Sequence, residues 1–203
     1  MTRLLRLAKE ASMEFMAAFH PDREWWIVGG ALRDAELGLD FKDVDIFING
    51  YDTDLLPEGD VDLGDRNAYL LRAYTAKDYP YKGERFEINL IFMRGGHWSL
   101  ESMTDRCDFG ICQIGWDPSN NRTYRSSEYL NDYHVKTLTL TRETSRERKN
   151  RMENKFSTFA FRNPNNITLD GDRMWVYSEE SGELEVKYDK YVPRDRVGDK
   201  YVR

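Results

Sequence analysis

Cysteine and histidine are both scarce in this chain of 203 residues, which holds two cysteines and three histidines. Cys107 and Cys112 are too few for a disulfide scaffold, and the scattered histidines show no zinc-binding spacing. No run approaches the roughly 20 apolar residues that span a membrane. Charged residues also interrupt the N-terminal segment, so it lacks a signal-peptide core. These absences predict a protein of a reducing cytoplasm with no membrane partner.

The composition is that of a globular protein, with 40% hydrophobic and 13% aromatic residues. The length suits one domain, or one domain with a modest appendage. A net charge of −6 argues against a general nucleic-acid coat protein. The charge is uneven, because residues 34–65 hold eleven acidic side chains and one lysine, whereas residues 122–162 hold ten Lys/Arg against five Asp/Glu. A local basic surface is therefore compatible with the acidic whole.

Hydrophobic periodicity and turn residues predict the order of the secondary structure elements. Helices are expected at 3–19, 31–37 (closed by Gly38), 66–77 and, with a break near 137–141, 128–156. Strands are expected at 25–28, 44–48, 85–93 and 109–116, with a loop at 51–65 and a late hairpin turning at Ser181-Gly182. This order predicts an α+β fold, a short mixed sheet with packed helices. We divide the chain into a head at 1–122 and a helical segment with a C-terminal hairpin at 123–203.

The segment IVGGALRDAELGLDFKDVDIFI combines features that suit phosphate chemistry. Gly29 and Gly30 allow the backbone to approach a triphosphate closely, and the helix that follows offers free N–H groups at its N-terminus. Asp43 and Asp45 alternate with Val44, so both carboxylates project from one face of a strand. Two such carboxylates, with a third from a neighbouring strand, suit a pair of Mg²⁺ ions.

The Asp-x-Asp pattern by itself is not specific in this chain. Three further pairs lie in sequence that is typical of acidic, solvated loops: Asp52/Asp54, Asp60/Asp62 and Asp170/Asp172. Asp43 and Asp45 differ because they enter an apolar strand and follow the glycine turn. This context makes them the candidate metal ligands.

Four segments in order, spanning residues 25–118, resemble the head domain of tRNA nucleotidyltransferases and bacterial poly(A) polymerases, which have the polymerase-β type of nucleotidyltransferase fold. They are Gly29-Gly30-x-x-Arg33-Asp34 followed by Gly38, then Asp43-x-Asp45, then 86–94 (FEINLIFMR), then 106–113 (RCDFGICQ). The resemblance implies that Glu87 supplies the third carboxylate and that residues 106–113 approach the sugar of a nucleotide. Because the sequence ends before the neck, body and tail of those enzymes, it is most similar to the minimal bacteriophage-encoded forms.

The resemblance assigns candidate roles residue by residue. Asp43, Asp45 and Glu87 would act in catalysis as ligands of two Mg²⁺ ions, with Mn²⁺ as an alternative ion. The nucleotide-binding candidates are Gly29, Gly30, Arg33, Asp34, Lys42, Arg106 and Asp108. Several have a purely structural alternative: Glu87 could face solvent, and Arg33 could brace the phosphate loop or form a surface ion pair. Likewise Lys42 could be a surface residue, and Arg106 and Asp108 could be polar residues at a strand end.

The sequence also departs from the family pattern. Cys107 replaces the second Arg of the sugar motif, and Gly110 and Cys112 stand near its Thr and Asn positions, which puts ribose selection in question. The Glu-Asp-x-x-Arg motif by which the family chooses CTP or ATP has no counterpart. The nearest acidic site is Asn131-Asp132-Tyr133-His134, which lacks the Arg.

The expected activity is transfer of a nucleoside monophosphate from an NTP to a hydroxyl, with an RNA or tRNA 3′ end as the leading acceptor. The basic run at 142–155 is either an RNA contact or a solvated helix face. The alternatives are transfer to a protein or small molecule, and a catalytically silent binding module. The expected location is the cytoplasm, or the host cytoplasm for a phage protein. The sequence leaves the oligomeric state open.

Overall fold

The computed structural model describes residues 2–19, 23–49, 61–62, 70–93, 98–167 and 169, and the backbone of two strands at 173–177 and 184–188. The helices are α1 (Arg3–Phe19), α2 (Gly30–Glu36), α3 (Leu100–Thr104), α4 (Ser127–Val135) and α5 (Arg146–Lys155), with a 3₁₀ turn at Gly110–Cys112. The strands are β1 (Trp25–Val28), β2 (Asp43–Ile48), β3 (Val61–Asp62), β4 (Leu70–Tyr81), β5 (Glu84–Met93), β6 (Ile114–Asp117), β7 (Arg122–Arg125), β8 (Thr137–Thr139), β9 (Ala160–Arg162), β10 (Arg173–Tyr177) and β11 (Leu184–Tyr188).

The main sheet has seven strands in the order β3-β4-β5-β2-β1-β6-β7. Its central pair, β2 and β5, is parallel, and its other neighbours are antiparallel. Two small sheets accompany it: parallel β8-β9 and antiparallel β10-β11. The prediction of a mixed sheet in an α+β fold is therefore confirmed.

The two faces of β2 have different neighbours because its side chains alternate. Val44, Ile46 and Ile48 are almost fully buried in the larger apolar cluster, which includes residues of α1 and α2. On the opposite face, Phe47 packs in a smaller cluster with Trp26 of β1 and Met103 of α3. Asp43 and Asp45 share the face of Phe47, and both are half-buried. The sheet therefore separates these carboxylates from the main core.

The helix predicted over 66–77 is wrong where the structure describes it, because residues 70–81 form β4. This strand is antiparallel to β5 and pairs along most of its length. Helix propensity is a weak preference, and the long cross-strand pairing overrides it. Val61–Asp62, expected in a loop, forms the edge strand β3.

The strand predicted over 109–116 is only partly correct. Residues 114–117 form β6, whereas Gly110–Cys112 form the 3₁₀ turn. The backbone N–H of Ile111 donates to the buried carboxylate of Asp132 at 2.9 Å instead of joining the sheet. A tertiary contact thus interrupts what the apolar pattern indicates as a strand.

The helical prediction for 128–156 is confirmed in α4 and α5, and its break contains β8. Strands β10 and β11 are antiparallel, as the predicted hairpin requires. The turn at Ser181-Gly182 and most of the other Asp-x-Asp residues lie outside the described residues. In the described part of the chain, no helix is both long and apolar enough to cross a membrane. The division into a head and a C-terminal segment remains a prediction.

Candidate active site

The parallel pairing of β2 with β5 brings the three candidate carboxylates together on one face. Asp43 lies directly opposite Glu87 in the register, and Asp45 lies opposite Asn89. Opposed residues of neighbouring strands point to the same side of a sheet. The neighbours of Glu87 in β5, Phe86 and Ile88, are buried on the other face. The predicted adjacency of these two strands is therefore correct.

Carboxylate oxygens are hard donors of the kind that Mg²⁺ prefers, so the chemistry of this set fits a divalent cation. The side chains are not gathered into a closed ligand set, since within the described residues no three Asp, Glu, His or Cys side chains could hold one ion. Glu87 instead faces Lys42, with 3.6 Å between Oε2 and Nζ. Lys42 is largely exposed. Glu87 would therefore have to exchange this weak surface pair for a metal ion.

Asp45 is oriented by its cross-strand neighbour. The side-chain amide Nδ2 of Asn89 donates to Oδ1 of Asp45 at 2.9 Å. Burial raises the pKa of the Asp45 carboxyl, the Asn89 hydrogen bond opposes that rise, and the nearby charge of Asp43 adds to it. Thr75 of β4 donates in turn to Oδ1 of Asn89 at 2.8 Å. The carboxylate of Asp45 is thus one end of a hydrogen-bonded chain across three strands.

The glycine turn lies between the end of β1 and the start of α2. Gly29 has a φ of 85° and a ψ of −118°, a combination that side-chain-bearing residues rarely adopt. Its N–H donates to the carbonyl of Ile114 at 2.8 Å, and its carbonyl accepts from the N–H of Arg33 at 3.0 Å. The N-cap residue of α2 is Gly29, which has no side chain to cap the first N–H groups of the helix. The turn therefore lies at the start of a helix that packs against β2, the strand that carries Asp43 and Asp45.

Arg33 and Asp34 do not form the surface ion pair that sequence reasoning offered as the alternative. Both are buried, and Arg33 donates to Asp34 at 2.8 Å and to Sγ of Cys112 at 2.9 Å. The Arg33 guanidinium also lies over the ring of Phe156, 5.0 Å from its centroid. Asp34 accepts from Nζ of Lys155 at 2.6 Å. These contacts connect α2 to the 3₁₀ turn and to α5, which makes Arg33 a brace beneath the glycine turn.

Asp108 is engaged by α5. The Arg148 guanidinium donates to both carboxylate oxygens of Asp108, with 2.9 Å from Nη2 to Oδ1. Thr144, which precedes α5, donates to Oδ2 at 2.6 Å. Arg106 lies with its guanidinium 4.4 Å from the centroid of the Trp98 ring. Burial raises the pKa of the Cys107 thiol well above its ordinary value, so this residue is neutral at physiological pH. In the segment 106–113, the side chains of Arg106 and Asp108 therefore contact other residues of the protein.

Asp132, the nearest acidic site to the family's base-choosing motif, is fully buried. It accepts hydrogen bonds from two backbone N–H groups and two threonine hydroxyls, at 2.6–2.9 Å. A Cβ added at Gly110 would lie 2.7 Å from its Oδ2. Asp132 thus organises the junction of the 3₁₀ turn, α4 and β8. This contact leaves little room for a larger side chain at position 110.

The basic run at 142–155 is divided between two directions. Arg148 and Lys155 turn inward to the aspartates described above, and Lys149 pairs with Glu153 at 2.7 Å. Exposed side chains remain at Arg142, Arg146 and Arg151. Sequence charge alone does not reveal this division, because it depends on which face of α5 packs against the head.

Solved structures of other proteins have a fold similar to this one. An apo-form CCA-adding enzyme matches with a TM-score of 0.51 and 18% identity, covering 79% of this chain and 39% of that chain. The CCA-adding enzyme of Thermotoga maritima, solved with tRNA, matches with a TM-score of 0.50 and 17% identity, over 81% and 40% of the two chains. The likeness is one of fold. This chain spans about two fifths of the length of these structures. No protein-family model and no curated protein matches the sequence.

Sequence reasoning missed three residues around the site: Asn89, Thr75 and Arg148. Asn89 could have been found, because it follows Glu87 by two residues and so shares its face of a single strand. Thr75 could not, because its segment was expected to be helical. Arg148 was counted only as one charge of a basic run, and its pairing with Asp108 joins residues 40 positions apart.

Proposed function

We propose that this protein is a metal-dependent nucleotidyltransferase that moves a nucleoside monophosphate from an NTP to a hydroxyl and releases pyrophosphate. The observation that carries the proposal is the shared face of β2 and β5, where Asp43, Asp45 and Glu87 lie beside the Gly29 turn. The fold is similar to that of CCA-adding enzymes, which supports this class of activity. An RNA 3′ end, such as that of a tRNA, is the acceptor we favour.

In the reaction, the acceptor oxygen forms a bond to the α-phosphorus while the bond from that phosphorus to the β-phosphate oxygen breaks. Pyrophosphate leaves, and the hydroxyl proton passes to Glu87 or to solvent. Asp43 and Asp45, with Glu87, would hold two Mg²⁺ ions, which supply charge neutralisation and an acidified hydroxyl. The Gly29 turn and the N–H groups of α2 would receive the triphosphate, and Lys42 lies close enough to Glu87 to add positive charge there.

The residues behind the site hold it in shape in this proposal. Arg33, Asp34 and Lys155 keep α2 against α5, and the Asp108–Arg148 pair keeps the sugar-motif segment against the same helix. Ribose recognition would then depend on groups near Arg106. The exposed Arg142, Arg146 and Arg151 would attract an RNA backbone.

The test incubates the full chain with each α-labelled NTP, Mg²⁺, total RNA and cell lysate, and follows where the label appears. Asp43→Asn and Asp45→Asn should lower labelling by about 10³-fold, because such a metal contributes several kcal/mol to the transition state. Asp40→Asn is the matched control, since Asp40 is an exposed aspartate just outside β2 and should retain activity.

The position of the label decides among the acceptors. Labelled RNA supports the proposal, and Gln at Arg142, Arg146 and Arg151 should then weaken RNA binding and flatten its salt dependence, by about one unit of slope for each lost phosphate contact. Labelled protein or small molecules would move the acceptor to another class. Labelling that is absent with every NTP and with both Mg²⁺ and Mn²⁺ would refute the activity and favour a silent binding module.

A further inference from the structure

Three neighbouring strands carry a connected row of polar side chains that ends on Asp45. In the register of the sheet, Thr75 of β4 lies opposite Asn89 of β5, and Asn89 lies opposite Asp45 of β2. Thr75 Oγ1 is 2.8 Å from Asn89 Oδ1, and Asn89 Nδ2 is 2.9 Å from Asp45 Oδ1. The row thus connects an exposed hydroxyl to a candidate metal ligand.

The chemistry of the three groups permits only one direction for these hydrogen bonds. An ionised carboxylate accepts and cannot donate, so the amide must turn its NH₂ group toward Asp45. The carbonyl of Asn89 then faces Thr75, whose hydroxyl donates to it. If the amide flipped, its carbonyl would face the carboxylate and the contact with Asp45 would be lost, whereas the Thr75 hydroxyl could still accept from the NH₂ group. The carboxylate therefore sets the orientation of the amide, and the Thr75 hydroxyl restrains that amide with a second hydrogen bond.

We propose that Asn89 is a positioning residue for Asp45 and that Thr75 restrains the Asn89 side chain by donating to its carbonyl. The Asn89 amide donates to Oδ1 of Asp45. Within the described part of the chain no hydrogen bond is made to Oδ2 of Asp45, so this oxygen is available to bind a divalent cation. This inference rests on the proposed function, and it adds two residues that act through Asp45 without contacting the nucleotide. Groups that orient a metal ligand commonly change metal affinity by 10- to 100-fold when removed.

The alternative is that these bonds only stabilise the sheet. Stability cannot be their main effect if removing the Thr75 hydroxyl, which lies on an exposed strand position, changes metal affinity without changing the unfolding midpoint. The substitutions that separate the two roles are Thr75→Val, which keeps the shape and removes the donor, and Thr75→Ser, which keeps the donor. Asn89→Ala removes both of its contacts.

The experiment measures Mn²⁺ binding to the full chain by electron paramagnetic resonance, with a non-hydrolysable NTP present, and records urea unfolding of each variant. We expect Asn89→Ala to weaken Mn²⁺ binding by about 10- to 100-fold and Thr75→Val to weaken it by a smaller factor. Thr75→Ser should bind as the wild type does. Asn49→Ala is the matched control. The Asn49 amide donates to Glu24 at 2.9 Å and makes no hydrogen bond with Asp43, Asp45 or Glu87 among the described residues.

The outcomes separate the two proposals. If the wild type binds Mn²⁺ and Asn89→Ala binds it equally well, the positioning role is refuted while the proposed function stands. If the wild type binds no Mn²⁺, the metal-dependent function fails, and this inference fails with it. In an Asp45→Asn background, Asn89→Ala should cause no further loss, and an additive loss would show that Asn89 acts independently of Asp45.

Discussion

The structure gives the buried Asp132 a role in stability, whereas the sequence suggested it only as the nearest acidic site to a base-choosing motif. Substitution of Asp132 tests this structural role quantitatively. Its Oδ2 accepts from the N–H groups of Ile111 and Thr139 at 2.9 Å each, and its Oδ1 accepts from the hydroxyls of Thr137 and Thr139 at 2.6 Å each. Asp132→Ala removes all four acceptor contacts. The hydroxyls can rotate to other partners, but the two backbone N–H groups cannot.

The expected cost follows from the groups left behind. Each buried, unsatisfied donor costs about 1–3 kcal/mol, so Asp132→Ala should lower the free energy of unfolding by about 2–6 kcal/mol. Asp132→Asn should cost only about 1 kcal/mol, because its carbonyl can keep the two N–H bonds and its NH₂ can donate to the hydroxyl oxygens. Urea denaturation followed by circular dichroism measures both values.

Glu128→Ala is the control, since Glu128 is an exposed acid on the same helix and should cost less than about 1 kcal/mol. The structural assignment is refuted if Asp132→Ala costs less than about 1 kcal/mol or if Asn is as damaging as Ala. A base-choosing role would show itself differently. Asp132→Asn would then change the preference among NTPs while leaving the unfolding midpoint in place.

Two further predictions concern the buried residues Gly110, in the 3₁₀ turn, and Lys9, in α1. Gly110→Ala should lower the free energy of unfolding by about 1–3 kcal/mol, measured in urea, because its new Cβ would press on Asp132; an unchanged midpoint would contradict that contact. Burial lowers the pKa of Lys9 to about 8, with Glu36 opposing the shift, so the folded protein should gain stability as pH rises from about 8 toward the ordinary lysine value. Lys9→Met should therefore have a larger free energy of unfolding than the wild type at pH 7. Thermal unfolding should show this difference between the two proteins narrowing by roughly 1 kcal/mol by pH 10. A difference that stays constant with pH would contradict the prediction.

Local pattern predicted the elements whose stabilising contacts are close in sequence or strictly periodic. The helix over 3–19 and the strands containing Val44 and Phe86 were expected from their 3.6- or 2-residue periodicity. The strand at 25–28 was expected because it is a short apolar run that ends at the glycine turn. The helix predicted over 66–77 was wrong at 70–77, where a long antiparallel partner stabilises β4 in spite of residues that suit a helix. The strand predicted over 109–116 was wrong at Gly110–Cys112, where a carboxylate more than 20 positions away takes the backbone N–H of Ile111.

By itself, the sequence determined the candidates for the proposed chemistry. Asp43 and Asp45 share a face because strand alternation is a local property, and the glycine turn precedes them for equally local reasons. Glu87 joins that face only through the pairing of β2 with β5. Only the tertiary structure decided what each candidate touches. Arg33, Asp34 and Asp108 are paired with buried or inward-facing groups, and Asn89 orients Asp45, because the register of β2 with β5 and the docking of α5 are long-range contacts that no local pattern encodes.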